Sequence, residues 1–109
     1  MTELEAQKKA GEIIAELVFE RYREEISDTF DVRFHWCYEG EAANAPIPLW
    51  EISAEILVET SAQQKVLEEG LRKLTNAAEE AIKRVVRDSV YLQLSIHVRP
   101  EMLETNQHL

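Results

Sequence analysis

The chain is predicted to be an α+β protein, a two-layer α/β sandwich in the order α-β-β-α-β, with a three-stranded sheet and two long helices on one face. Three observations predict it. Phe30, Val32, Phe34, Trp36 and Tyr38 alternate with polar residues, as do Trp50, Ile52, Ala54, Ile56 and Val58, and Val90, Leu92, Leu94, Ile96 and Val98. A side-chain period of two is the mark of a strand with one apolar face. Two other segments repeat apolar residues at helical spacing. Finally, Arg33, His35, Glu51, Ser53, Glu55, Gln93, Ser95, His97 and Arg99 leave each strand one wet face, so the sheet needs a cover on one side only.

The first helix is expected from Thr2 to about Ile26, with Ala10, Ile13, Ile14, Leu17, Val18 and Tyr22 on one stripe. Thr2 and Glu5 have the spacing of a capping box. Phe19 and Ile26 widen the apolar face beyond what one sheet contact needs, which implies contact with the second helix or with another subunit. Ser27 and Asp28 break the helix. Strand one then ends near Tyr38, and residues 39–48 form a loop that contains Gly40, Pro46 and Pro48. That loop exceeds the usual hairpin connection of roughly 2–5 residues.

Strand two is expected from Leu49 to Glu59. Ser61 with Gln64 offers a second capping box, and Leu67, Leu71, Leu74, Ala78, Ala81, Ile82 and Val85 form the next helical stripe. Gly70 costs roughly 1 kcal/mol inside a helix, so it marks a kink or a division into two helices. Lys83, Arg84 and Arg87 fall at the helix end, where the dipole favours cations. Strand three runs from Val90 to Arg99. Pro100 ends it, leaving one domain over residues 1–100 and a loose tail over 101–109. Strand three lies either beside strand one, in order 3-1-2, or beside strand two, in order 1-2-3 through a right-handed crossover.

A chain of 109 residues, 45% hydrophobic and 30% charged, can bury a core without disulfides. Cys37 is the sole cysteine, which suits a reducing compartment. Thr2-Glu3-Leu4-Glu5 is no signal peptide, and no run of about 18 apolar residues occurs, so a cytoplasmic, non-membrane protein is expected. The net charge of -9 argues against a non-specific hold on DNA or RNA.

His35, Cys37 and His97 share the wet face with Glu51, Glu55 and Glu59, which are donor types that zinc accepts. They come from three strands without ligand-pair spacing, and cross-strand pairing, for example Arg33 with Glu55, explains them as well. Cys37 next to His35 does not make a nucleophile and base, because residues two apart on a strand stand side by side; a half-buried structural thiol is expected. Trp36 and Trp50 are expected in the core. Glu24-Glu25, Glu68-Glu69 and Glu79-Glu80 read as solvated helix faces. No glycine-rich nucleotide loop or H-E-x-x-H pattern occurs. No catalytic residue, metal or cofactor is therefore assigned.

Function is read in two ways. The first is a small acidic, non-catalytic protein-interaction or structural subunit that binds a protein partner or itself through the sheet or the first helix. Its candidate surface is Phe19, Ile26, Arg33, His35, Glu55, Leu57, Tyr91 and His97, and neither nucleic acid nor membrane is expected as a partner. The alternative starts from the order α-β-β-α-β, the break at Gly70 and the segment Glu69-Gly70-Leu71-Arg72-Lys73-Leu74-Thr75-Asn76-Ala77-Ala78. These resemble the KH-like arrangement of small ribosome-assembly factors of the ribosome-binding factor A family. The resemblance implies RNA binding, although the chain departs from true KH modules in lacking their GXXG loop.

Overall fold

The computed structural model describes residues 1–26, 29–41 and 48–99. In chain order it contains α1 (Glu3–Arg21), β1 (Asp31–Glu41), β2 (Pro48–Val58), α2 (Ser61–Glu69), α3 (Leu71–Val86) and β3 (Ser89–Val98). The expected α+β order holds, with the second helix divided in two at Gly70. The sheet order is β1-β2-β3, with β1 antiparallel and β3 parallel to β2. This settles the choice between the two strand orders. Every residue of β2 from Ile52 to Val58 is buried, as befits a strand with neighbours on both sides. Residues 27–28, most of the 39–48 loop and the 101–109 tail lie outside the described residues.

α1 starts on the expected capping box. Thr2 Oγ1 accepts the Glu5 N–H at 3.1 Å, and Glu5 Oε1 accepts the Thr2 N–H at 3.2 Å. The hydrogen bonds from Thr2 hold the Glu5 carboxyl below its ordinary value. Ala6, Ala10, Ile14 and Val18 recur every four residues and are fully buried against α3 and β1. The helix stops at Arg21, short of the expected Ile26. Tyr22 caps it, and the turn that follows carries Ile26 into the core, its N–H donating to Tyr22 O at 2.7 Å.

The cap of α2 falls one residue earlier than the sequence reading placed it. Thr60, not Ser61, accepts the N–H of Gln63 at 3.2 Å, and Gln63 Oε1 accepts the N–H groups of Thr60 and Glu59 at 3.2 and 3.0 Å. Both pairs satisfy the spacing of a capping box. The end of β2 decides between them, because Thr60 still has extended backbone. Gly70 has an ordinary backbone conformation (φ -105°), so a turn does not require it. A Cβ there would collide with the Tyr22 hydroxyl, so a larger residue must displace that ring. α3 buries Leu74, Ala78, Ile82 and Val86 on the sheet and ends at Arg87, whose left-handed φ of 62° closes the helix with a bond to Lys83 O at 2.8 Å.

β1 departs from its expected phase. Phe34 pairs with Ala54 but Trp36 pairs with Ser53, so His35 is an extra residue in a β-bulge. Before the bulge the even positions face the helices. After it Cys37 faces α1, while Trp36 and Tyr38 point to the open side. The expectation that Trp36 packs in the core beside Trp50 is therefore corrected: Trp50 is buried and Trp36 is 47% exposed.

Candidate nucleic-acid interface

The net charge is distributed unevenly. From Ser61 to Arg87 six cations (Lys65, Arg72, Lys73, Lys83, Arg84 and Arg87) face four acids (Glu68, Glu69, Glu79 and Glu80), a balance of +2 inside a chain of -9. The apolar spacing of α3 turns Leu74, Ala78, Ile82 and Val86 inward, so Arg72, Lys73, Lys83 and Arg84 are left exposed on its outer side. Lys83 forms a surface pair with Glu80 at 3.5 Å, an arrangement that contributes little stability. Glu79 is not a solvated acid, as the sequence suggested. Its carboxylate accepts the Leu92 N–H of β3 at 3.0 Å.

That bond closes part of a sheet edge. Gln64 Nε2 donates to Ile96 O on the same strand at 3.1 Å, so both helices of the pair clamp β3. At the other edge Glu3 Oε2 accepts the Glu39 N–H at 3.3 Å. Backbone groups held in this way are not free to pair with an added strand.

On the open face Glu55 lies at the centre, its side chain only 11% exposed. Arg33 Nη1 is 3.8 Å from one carboxylate oxygen, and His35 Nε2 and His97 Nε2 are 3.6 and 3.5 Å from the other. The Ser95 hydroxyl is 3.2 Å from the same His97 nitrogen. A serine–histidine–acid relay needs the two contacts on opposite ring nitrogens, so this cluster is no catalytic triad. Nor is any group of three His, Cys, Asp or Glu among the described residues arranged to hold a metal. His35 and His97 sit on strands either side of β2 and at different levels along it, His97 opposite Leu57 and His35 beside Ala54 and Ser53.

The residues of the expected interaction surface are scattered by the fold. Arg33, His35, Glu55, Tyr91 and His97 do share the open face. Leu57 lies on that side too but is buried: Arg99 reaches across β2 to Asp31 at 2.7 Å and covers it. Ile26 is in the core. Phe19 is exposed on α1, where it carries Arg23 over its ring at 5.0 Å and lines a shallow apolar groove with Gly11, Ala15, Phe30 and Val32. Cys37 leaves the open face altogether. Its thiol lies against the start of α1, 3.9 Å from Glu3 O, and burial first, then the Glu3 carboxylate, pushes its pKa up. Sequence reasoning missed Trp36 and Tyr38, which the bulge delivers to the open face. The Tyr38 hydroxyl donates to Glu51, which raises the phenol pKa. No helix among the described residues is long and apolar enough to cross a membrane.

No protein-family model matches the chain, and no curated protein does. Solved structures do share its fold. Aquifex aeolicus Era bound to GDP·AlF4− superposes with a TM-score of 0.70 at 22% identity, over 88% of this chain and 34% of that one. Era in complex with MgGDPNP and nucleotides 1506–1542 of 16S ribosomal RNA gives 0.69 at 22% identity, over 87% and 34%. The chain thus spans about a third of the Era chains it matches. These likenesses correct the first functional reading, which was a protein-interaction or structural subunit, self-associating through the sheet or the first helix, with nucleic acid not expected as a partner. A structure that shares this fold is complexed with ribosomal RNA, and the whole-chain charge that argued against RNA conceals a basic helical pair.

Proposed function

We propose that the chain is an RNA-binding domain of the KH-like, ribosome-assembly type, which holds RNA through the outer side of α3 and the Arg87 that closes it. The observation that carries this reading is the concentration of positive charge from Leu71 to Arg87, five cations against two acids, in a fold shared with a protein complexed with ribosomal RNA. Phosphate contacts by exposed lysine and arginine release counterions and supply sequence-independent affinity. The remaining surface is strongly acidic. It repels RNA elsewhere and so orients the domain on approach.

The helix–Gly70–helix corner lacks the GXXG backbone clamp, and Tyr22 closes it from below. Glu68 and Glu69 are exposed beside it. The grip therefore belongs to side chains along α3 and not to a loop. A binding domain of this kind needs no catalytic group, and none is proposed.

The test is binding of a single-stranded RNA across 50–200 mM salt. Wild type should bind with a salt slope of about -2 for three phosphate contacts. Charge reversal at Lys83→Glu, Arg84→Glu and Arg87→Glu should abolish binding, whereas Lys8→Glu with Lys9→Glu on α1 should leave it intact. Equal binding by the α3 reversal would overturn the assignment.

A further inference from the structure

Seven large apolar or aromatic side chains are exposed among the described residues, and three of them, Trp36, Tyr38 and Tyr91, gather on the open face of the sheet. Tyr38 and Tyr91 are partners of the same residue, Glu51, from opposite sides. They stand in one row across the sheet, about 10 Å apart in the backbone. Trp36 follows Tyr38 on the same face, about 7 Å along the strand. The rings are 47%, 41% and 51% exposed. Only the bulge at His35 puts Trp36 and Tyr38 there, and bulges of this kind serve to re-aim side chains.

This row lies at the basic end of α3. Arg87 closes that helix, and the chain then enters β3 at Ser89, so Tyr91 stands four residues after Arg87. Glu79 of α3 holds the N–H of the neighbouring Leu92. Lys83, Arg84 and Arg87 therefore stand at the same end of the sheet as the rings, with Glu79 tied to the β3 backbone between them. The acids on the face are already engaged: Glu51 by the Tyr38 hydroxyl, and Glu55 by Arg33, His35 and His97.

We propose that the open face is a base-stacking platform for single-stranded RNA, with the phosphates held by the basic end of α3 and the unpaired bases laid on Tyr91, Tyr38 and Trp36. The inference rests on the RNA-binding reading and adds to it a second surface and a preference for single strands. Every base has a π-face, so such a platform is sequence-tolerant, and it is closed to a duplex whose bases are already stacked.

The test uses a labelled 12-nucleotide mixed-sequence RNA, alone and as a duplex, with binding read by anisotropy and by tryptophan emission. The RNA should quench Trp36, while buried Trp50 stays constant. Trp36→Phe should remove the quench and keep most of the affinity. Trp36→Ala and Tyr91→Ala should each weaken single-strand binding about tenfold, with the salt slope and melting temperature unchanged. Duplex binding should not respond to either substitution. If the alanine variants bind the single strand like wild type while the Lys83/Arg84/Arg87 reversal loses it, the platform is refuted and the helical site stands. If wild type binds neither RNA, both fall.

Discussion

β3 keeps its alternation along its length, Val90, Leu92 and Ile96 buried and Tyr91, Gln93 and His97 exposed. β1 starts in the same phase, then inserts His35 and reverses it. Both strands flank β2, and both alternate without interruption in sequence. The difference lies in what each meets. β3 lies under α2 and α3, whose side chains fix its register through Leu92 and Ile96. The far half of β1 lies against the first turn of α1, where the Cys37 thiol sits 3.9 Å from Glu3 O. An alternating pattern therefore specifies a strand, while a single extra residue in the ladder decides which face it turns inward.

The sharpest test deletes His35, the extra residue of β1, so that Trp36 follows Phe34 directly and the pairs Trp36–Ser53, Cys37–Ile52 and Tyr38–Glu51 form without a bulge. Trp36 and Tyr38 should stay on the open face, and the tryptophan emission should match wild type. A blue-shifted emission, with Trp36 turned toward α1, would show that the extra residue is not what aims the two rings. A paired substitution sharpens the contrast. Leu92→Ala on β3 removes a buried side chain and should cost about 2–5 kcal/mol. Trp36→Ala on β1 should cost under about 0.5 kcal/mol despite removing the larger residue, because its ring is exposed. The smallest effect is chemical. With its pKa raised, the Cys37 thiol is thiolate only at higher pH than a free cysteine. Alkylation by iodoacetamide should be slower than that of glutathione at pH 8, and it should accelerate at a higher pH. Labelling as fast as glutathione would place the thiol on the open face after all.

Much of the fold was legible from the residues. The three strands, the Thr2–Glu5 cap, the division at Gly70 and the α3 stripe at Leu74, Ala78 and Ile82 all follow from local rules, although the expected Val85 is exposed and Val86 takes the buried place. The contact at Gly70 was not legible, because the Tyr22 hydroxyl that a Cβ would strike comes from α1. The candidate RNA surface was half legible. Lys83, Arg84 and Arg87 read as a helix-end cluster, but the total charge hid the +2 balance of the helical pair. Trp36 and Tyr38 were not legible as surface residues, since nothing near His35 announces an extra residue in the ladder. Leu57 failed for a similar reason: its cover, Arg99, arrives from the far end of the chain.

By itself the sequence determined the elements and their faces as far as periodicity, capping and charge act within a few residues. Only the tertiary structure decided the strand order, the bulge that exposes two rings and the carboxylate and amide groups that close the sheet edges. Those outcomes depend on which distant segments compete for the same volume and the same backbone hydrogen bonds, and a local pattern carries no record of that competition.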